Sequence, residues 1–164
     1  VVPDVLVTGK GTSAGVYPIA ACCFGARVEA HFAEDPFFHP SSFAGSELGA
    51  RVIEAVVERY EDPKLLPHVM EMGARLRAGL ERLVEHHPDH LAEVRGLGLM
   101  LALETRSDEL GFELTKRCFE HGLLAIFAFN RQAALQVMPP LTIEADEVDE
   151  VIGRLGAAIA ALGR

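Results

Sequence analysis

The sequence predicts an α/β chain, and three observations carry that prediction. Short apolar runs bounded by turn residues open the chain, at Val5–Thr8 and Val16–Phe24. Two long stretches follow in which apolar residues recur every three or four positions, from Leu48 to Tyr60 and from Val69 to Leu83. Beyond them, short apolar runs alternate with helical periodicity to the end of the sequence, so strands and helices are interspersed. An α+β arrangement fits the same order.

Taken in order, Val5–Thr8 reads as a short buried strand, closed by the turn residues from Gly9 onward. Val16–Phe24 is strand-like, with Pro18 near its entry, where a missing N–H does least harm. Phe37–Gly45 is a Ser/Pro/Gly loop. Leu48, Val52, Ile53, Val56, Val57 and Tyr60 then share a helical face. Asp62-Pro63 marks the next helix start, an N-cap followed by proline, with Pro67 moving that start inward by up to a turn. Its apolar face is Val69, Met72, Leu76, Leu80 and Leu83, and it must stop before Pro88. Val94–Glu104 is a strand pair or one bent strand around Gly96 and Gly98. Ser107-Asp108-Glu109 caps a helix ending near Gly122. Leu123–Phe129 and Leu135–Met138 read as strands. Thr142 opens the last helix, with Glu144, Asp146 and Glu147 complementing its dipole. Val148, Val151, Ile152, Leu155, Ile159 and Leu162 form its apolar face.

Composition narrows the function classes. The 164 residues are 49% apolar, enough for a sizeable core. A net charge of −9 argues against a general nucleic-acid or anionic-membrane binder, since both need a basic surface. No stretch approaches the roughly 18 consecutive apolar residues of a membrane span. No charged-then-apolar leader opens the chain. Cys22, Cys23 and Cys118 have no metal-binding spacing and read as reduced, buried thiols of a cytoplasmic protein. His86 and His90 would share a helical face, but Pro88 breaks it, so no metal site is expected. A start at Val-Val-Pro-Asp, without Met, suggests a fragment of a longer polypeptide.

One lysine stands alone in a glycine turn, Gly9-Lys10-Gly11. A phosphate loop of the form G-x-x-x-x-G-K-[ST] fails twice, at Asp4 and at Gly11. Gly9-x-Gly11-x-x-Ala14 fits a dinucleotide turn, but that turn must open a helix, and a loop and strand follow here. A reactive amine remains, since an open, glycine-flanked position suits one. The residues alone leave this beside a solvated turn lysine.

The wider pattern is more specific. Pro3-Asp4-x₄-Gly9-Lys10-x₄-Gly15-x-x-Pro18-Ile19-x-Ala21 resembles the cofactor-lysine segment of class III aminotransferases. His39-Pro40-Ser41-Ser42-Phe43-Ala44-Gly45-Ser46-Glu47-Leu48 resembles that family's H-x-S-T-F-x-G-N-P-L loop. Val94-Arg95-Gly96-x-Gly98-Leu99-Met100 resembles its V-R-G-x-G-L-M strand, and Pro139-Pro140-Leu141-Thr142-Ile143 its P-P-L-x-I segment. The blocks stand in the family's order across essentially the whole chain.

The resemblance implies a fold type I transferase dependent on pyridoxal 5′-phosphate. Residues 1–50 would be the end of the cofactor-binding large domain, 51–87 connecting helices, and 88–164 a small α+β C-terminal domain. Lys10 takes the place of the Schiff-base lysine, serving as covalent anchor and then as the base of a proton shift. Ser42, with Ser41 one residue away, falls where the family's threonine binds the cofactor phosphate of the neighbouring subunit. Without the resemblance, both serines read as caps of the following helix. The implied parent is a cytoplasmic homodimer, moving an amino group from an amine donor to an oxo acid or aldehyde. Aminomutase or epimerase chemistry on the same lysine is the alternative, and an inert fragment a third reading.

Two departures stand out. Glu47 replaces the family's proline. Gln136 replaces the arginine that pairs with a substrate α-carboxylate in ornithine-type members, and glutamine offers no charged bidentate clamp. A terminal amine, a diamine, or an amino group remote from any carboxylate is therefore the expected donor. The alternative is that Gln136 only fills a polar edge position. The family's pyridine-nitrogen aspartate, ring-stacking aromatic and glycine-rich phosphate turn lie upstream of the matched region and have no candidates here. Asp4 is not the pyridine partner. The 164 residues alone are expected to be inactive.

Overall fold

The computed structural model describes residues 2–35, 37, 40–42 and 44–163. The chain divides into two compact units, Val1–Pro63 and Lys64–Arg164. Residues 51–87, read above as connecting helices, are shared between them.

The first unit begins with strand β1 (Val5–Thr8), a 3₁₀ turn (Lys10–Ser13) and strand β2 (Ala21–Phe24). Helices α1 (Ala26–Glu34) and α2 (Glu47–Tyr60) follow. β1 and β2 pair antiparallel, Val5 opposite Phe24 and Thr8 opposite Ala21. The strand expected from Val16 starts only at Ala21. Val16 N closes a turn on Ser13 O at 2.9 Å, and Pro18 has no N–H for a ladder. Helix α1 went unread because its apolar spacing is sparse; Phe32 stacks on Phe24 with centroids 5.3 Å apart. Ser46 caps α2, its Oγ accepting from Gly49 N at 3.3 Å, so neither Ser41 nor Ser42 is the cap.

Burial corrects two expectations. Val5, Leu6 and Val7 are 46%, 54% and 71% exposed, not buried. Cys22 and Cys23 are exposed as well, whereas Cys118 is buried as expected. The reason is shared: a two-stranded ribbon has no further layer in its unit to cover it. Among the described residues of this unit, only Ser13 and Gly49 are buried, and no large apolar side chain is.

The second unit holds the core. It contains α3 (Leu65–His86), β3 (Leu91–Leu97), β4 (Met100–Thr105), α4 (Asp108–Glu120), β5 (Ile126–Ala128), β6 (Arg131–Val137) and α5 (Ala145–Ala160). The strands form an antiparallel sheet in the order β3-β4-β6-β5. Leu101 and Leu103 lie opposite Val137 and Leu135 across β4 and β6. They join Met72, Leu76 and Leu80 of α3, Leu114 and Cys118 of α4, and Val148, Leu155 and Ile159 of α5 in one buried cluster. The alternate strand positions, Ala102, Glu104, Ala134 and Gln136, belong to the opposite sheet face.

β3 and β4 are the strand pair of the two sequence options. Gly96 sits at φ +127°, and a Cβ there would lie 2.0 Å from Met100 O, so only glycine fits. Ser107 Oγ caps α4 by accepting from Leu110 N at 3.3 Å, and Asp108 Oδ1 accepts from Ala133 N of β6 at 2.9 Å. α5 starts past Thr142, because Ile143 N closes a turn on Pro140 O at 3.1 Å. Its entry is fixed by Glu144 N donating to Glu147 Oε2 at 2.8 Å. Among the described residues, no helix is long and apolar enough to cross a membrane.

Candidate active site

Lys10 is exposed and opens the 3₁₀ turn that follows β1. Its backbone is left-handed, with φ +52°. A non-glycine residue there carries of order 1–3 kcal/mol of strain, and such strain persists only where the surroundings fix it. The surroundings here are a hydrogen-bonded turn. Thr12 N and Thr12 Oγ1 both donate to Gly9 O, each at 3.2 Å. Thr8 Oγ1 and Thr12 Oγ1 lie 2.6 Å apart, tying the turn to β1. Ser13, buried beneath, donates from Oγ to Lys10 O at 3.3 Å. Tyr60 Oη donates to Gly11 O at 2.9 Å. Among the described residues, the Lys10 amine has no hydrogen-bond or ion-pair partner, so it is available to an incoming electrophile.

Ser41 and Ser42 are exposed in the loop before α2. Ser41 O accepts from Ala44 N at 3.2 Å, and neither serine bonds to Lys10. His39 and Phe43 of the same motif lie outside the described residues. Asp4 accepts from Arg27 Nη2 at 2.6 Å in an exposed ion pair, a local role on the β1 entry.

Gln136 belongs to the second unit. It sits on β6, opposite Ala102 on β4 and Ile126 on β5. Its Nε2 donates to Phe127 O at 3.4 Å, a weak contact across the hairpin. It lines a cavity of about 200 Å³ with Leu124, Ile126 and Met138. A larger groove of about 610 Å³, lined by Pro139, Pro140 and Arg154, contains none of Lys10, Ser41, Ser42 and Gln136. Size is therefore a poor guide here, and the lysine turn carries the chemical argument.

One charged group was missed. Glu104, 4% exposed, accepts from Arg95 Nη2 at 2.6 Å and from Arg131 Nε. The carboxylate is held between two guanidiniums from β3 and β6. A charged residue inside the apolar run Met100–Thr105 was the available signal. No group of three or more His, Cys, Asp or Glu is placed to hold a metal among the described residues. His86, the metal candidate, has Nδ1 2.6 Å from Arg82 O.

The donor set fits an aldehyde- and phosphate-bearing cofactor. An exposed amine without a partner suits the aldehyde, and exposed hydroxyls suit a phosphate.

Comparison with known proteins bears on this arrangement. The aminotransferase class-III family pattern matches residues 1–159. The chain belongs to the class III aminotransferase family. An uncharacterized aminotransferase of Archaeoglobus fulgidus is 38% identical over 159 residues, covering 97% of this chain and 37% of that protein. The putrescine aminotransferase of Pectobacterium atrosepticum is 31% identical, over 92% of this chain and 32% of its own length. The ornithine aminotransferase of Toxoplasma gondii, crystallised with partial occupancy of PLP at its active site, superposes with a TM-score of 0.84 at 31% identity. That match covers 97% of this chain and 37% of the crystallised one. The chain thus spans about a third of the length of the curated relatives it matches.

Proposed function

We propose that the protein is a pyridoxal-phosphate-dependent aminotransferase that takes nitrogen from an amine donor and delivers it to an oxo acid or aldehyde. The observation that carries this reading is Lys10: an exposed amine without a partner, on a strained backbone held by a bonded turn. Lys10 Nζ is the covalent anchor. The cofactor, when bound, would supply an aldehyde able to condense with Nζ, its oxygen leaving as water, and an electron-withdrawing ring that makes the neighbouring C–H acidic. Freed by the substrate amine, Lys10 Nζ is the base that takes the proton from the amine-bearing carbon and holds it as the ammonium until it is redelivered in a 1,3-proton shift. Ser42, with Ser41 beside it, donates a hydroxyl to the cofactor phosphate of the other subunit of a homodimer. Three free thiols suit a reducing cytoplasm.

Gln136 sets the donor class. It offers an amide where a carboxylate clamp needs a guanidinium, and its cavity neighbours are apolar. This favours donors whose amine is remote from a carboxylate.

The test uses the full-length protein with added pyridoxal 5′-phosphate. The expected result is a visible absorbance band that borohydride reduction fixes onto the peptide containing Lys10. Lys10→Ala removes both the adduct and nitrogen transfer from an amine to an oxo acid. A protein that forms no reducible adduct on Lys10 is not this enzyme. Isomerised amine formed without an acceptor likewise overturns amino transfer.

A further inference from the structure

Tyr60 lies on the apolar face of α2, and nothing in the reading above uses its hydroxyl chemically. That hydroxyl donates to Gly11 O at 2.9 Å, across 49 residues of sequence. A Cβ on Gly11 would lie 3.3 Å from the same oxygen, tighter than an ordinary contact. The ring end is therefore seated against the residue of the turn that has no side chain. Gly11 O also accepts from Ala14 N at 3.1 Å, so both of its acceptor directions are used.

We propose that Tyr60 is a positioning residue for Lys10. The other bonds that hold the turn come from Thr8, Thr12, Ser13 and the turn's own backbone, all within a few residues of the lysine. Local bonds of that kind stabilise many turn conformations. The bond from Tyr60 is different, because it comes from a separate helix and fixes where the carbonyl after Lys10 points. With that carbonyl fixed, Lys10 keeps its left-handed backbone and Nζ keeps one direction. Without it, the turn relaxes toward negative φ and the amine is re-aimed. The inference rests on Lys10 being the covalent anchor proposed above.

The experiment uses the full-length protein stripped of cofactor, with pyridoxal 5′-phosphate as the probe. Trace acetylation of Lys116, followed on its own peptide, gives an internal reference. Tyr60→Phe keeps the ring and deletes the hydroxyl. It is expected to slow capture at Lys10 about three- to tenfold, the worth of one hydrogen bond. It should also lower the visible circular dichroism per unit absorbance of the captured cofactor, while Lys116 acetylation stays unchanged. Gly11→Ala pushes on the same hydroxyl, so it should cost less in the Tyr60→Phe background than alone.

Capture and dichroism at the unsubstituted level in Tyr60→Phe overturn the inference and leave Lys10 as the anchor. Losses that track a fall in Tm, with Lys116 acetylation rising in parallel, also overturn it, because the role is then stability of the fold. Absence of any adduct on Lys10 in the unsubstituted protein overturns the anchor assignment and this inference together.

Discussion

At Gln136 a single side chain carries the proposal for the donor class. An amide replaces the charged fork that a carboxylate would bind, and it bonds only weakly to Phe127 O. Gln136→Arg should therefore raise kcat/KM for α-amino acid donors relative to plain amines by about tenfold or more, the worth of a charged hydrogen-bonded pair. Paired rate measurements on one amine and one amino acid check this. Cys118 makes a different residue-scale point. Burial pushes its thiol up from 9.0 to about 11. In the unfolded chain the thiol ionises near its ordinary value, while the folded protein keeps it protonated. Stability from this site is complete below pH 9 and is lost as pH rises toward 11, by on the order of 2 kcal/mol. Urea midpoints at pH 8 and pH 10 should diverge more for the unsubstituted protein than for Cys118→Ala.

At the scale of elements, the sheet of the second unit is tied together by one carboxylate. Glu104 on β4 takes guanidiniums from β3 and β6. Glu104→Ala removes the shared acceptor of two partly exposed guanidiniums and the tie they make between β3, β4 and β6. The expected loss is about 2 kcal/mol, toward the low end for a broken buried pair because both arginines are half exposed. A urea titration with an unchanged m-value checks it. Long elements were the legible ones. Met72, Leu76 and Leu80 announced α3 by spacing, as Val148, Leu155 and Ile159 announced α5. Short ones were not, because α1 has only Val28 and Phe32 to mark its face. The burial of β1 was misread because an apolar run says what a strand prefers, not what covers it. Lys10 was singled out by its glycines and the surrounding motif. Tyr60 was not, because a tyrosine at helical spacing looks like any apolar-face residue until its hydroxyl finds a carbonyl 49 residues away.

For the whole molecule, the decisive fact is where the core lies. Every buried large apolar side chain among the described residues falls between Met72 and Leu162. Residues 64–164 expressed alone should therefore melt cooperatively by circular dichroism, whereas residues 1–63 alone should show no cooperative transition. A sharp melt of the shorter piece would contradict the division. The same fact has a consequence in time. A ribosome makes Lys10 first and the core afterwards. The roughly 100 residues from Lys64 onward take about 5–20 s at typical elongation rates. Throughout that interval the exposed Lys10 amine is already made, while the core-forming segment is not. On the ribosome, Lys10 thus meets the cell's free aldehydes before the core of residues 64–164 has formed.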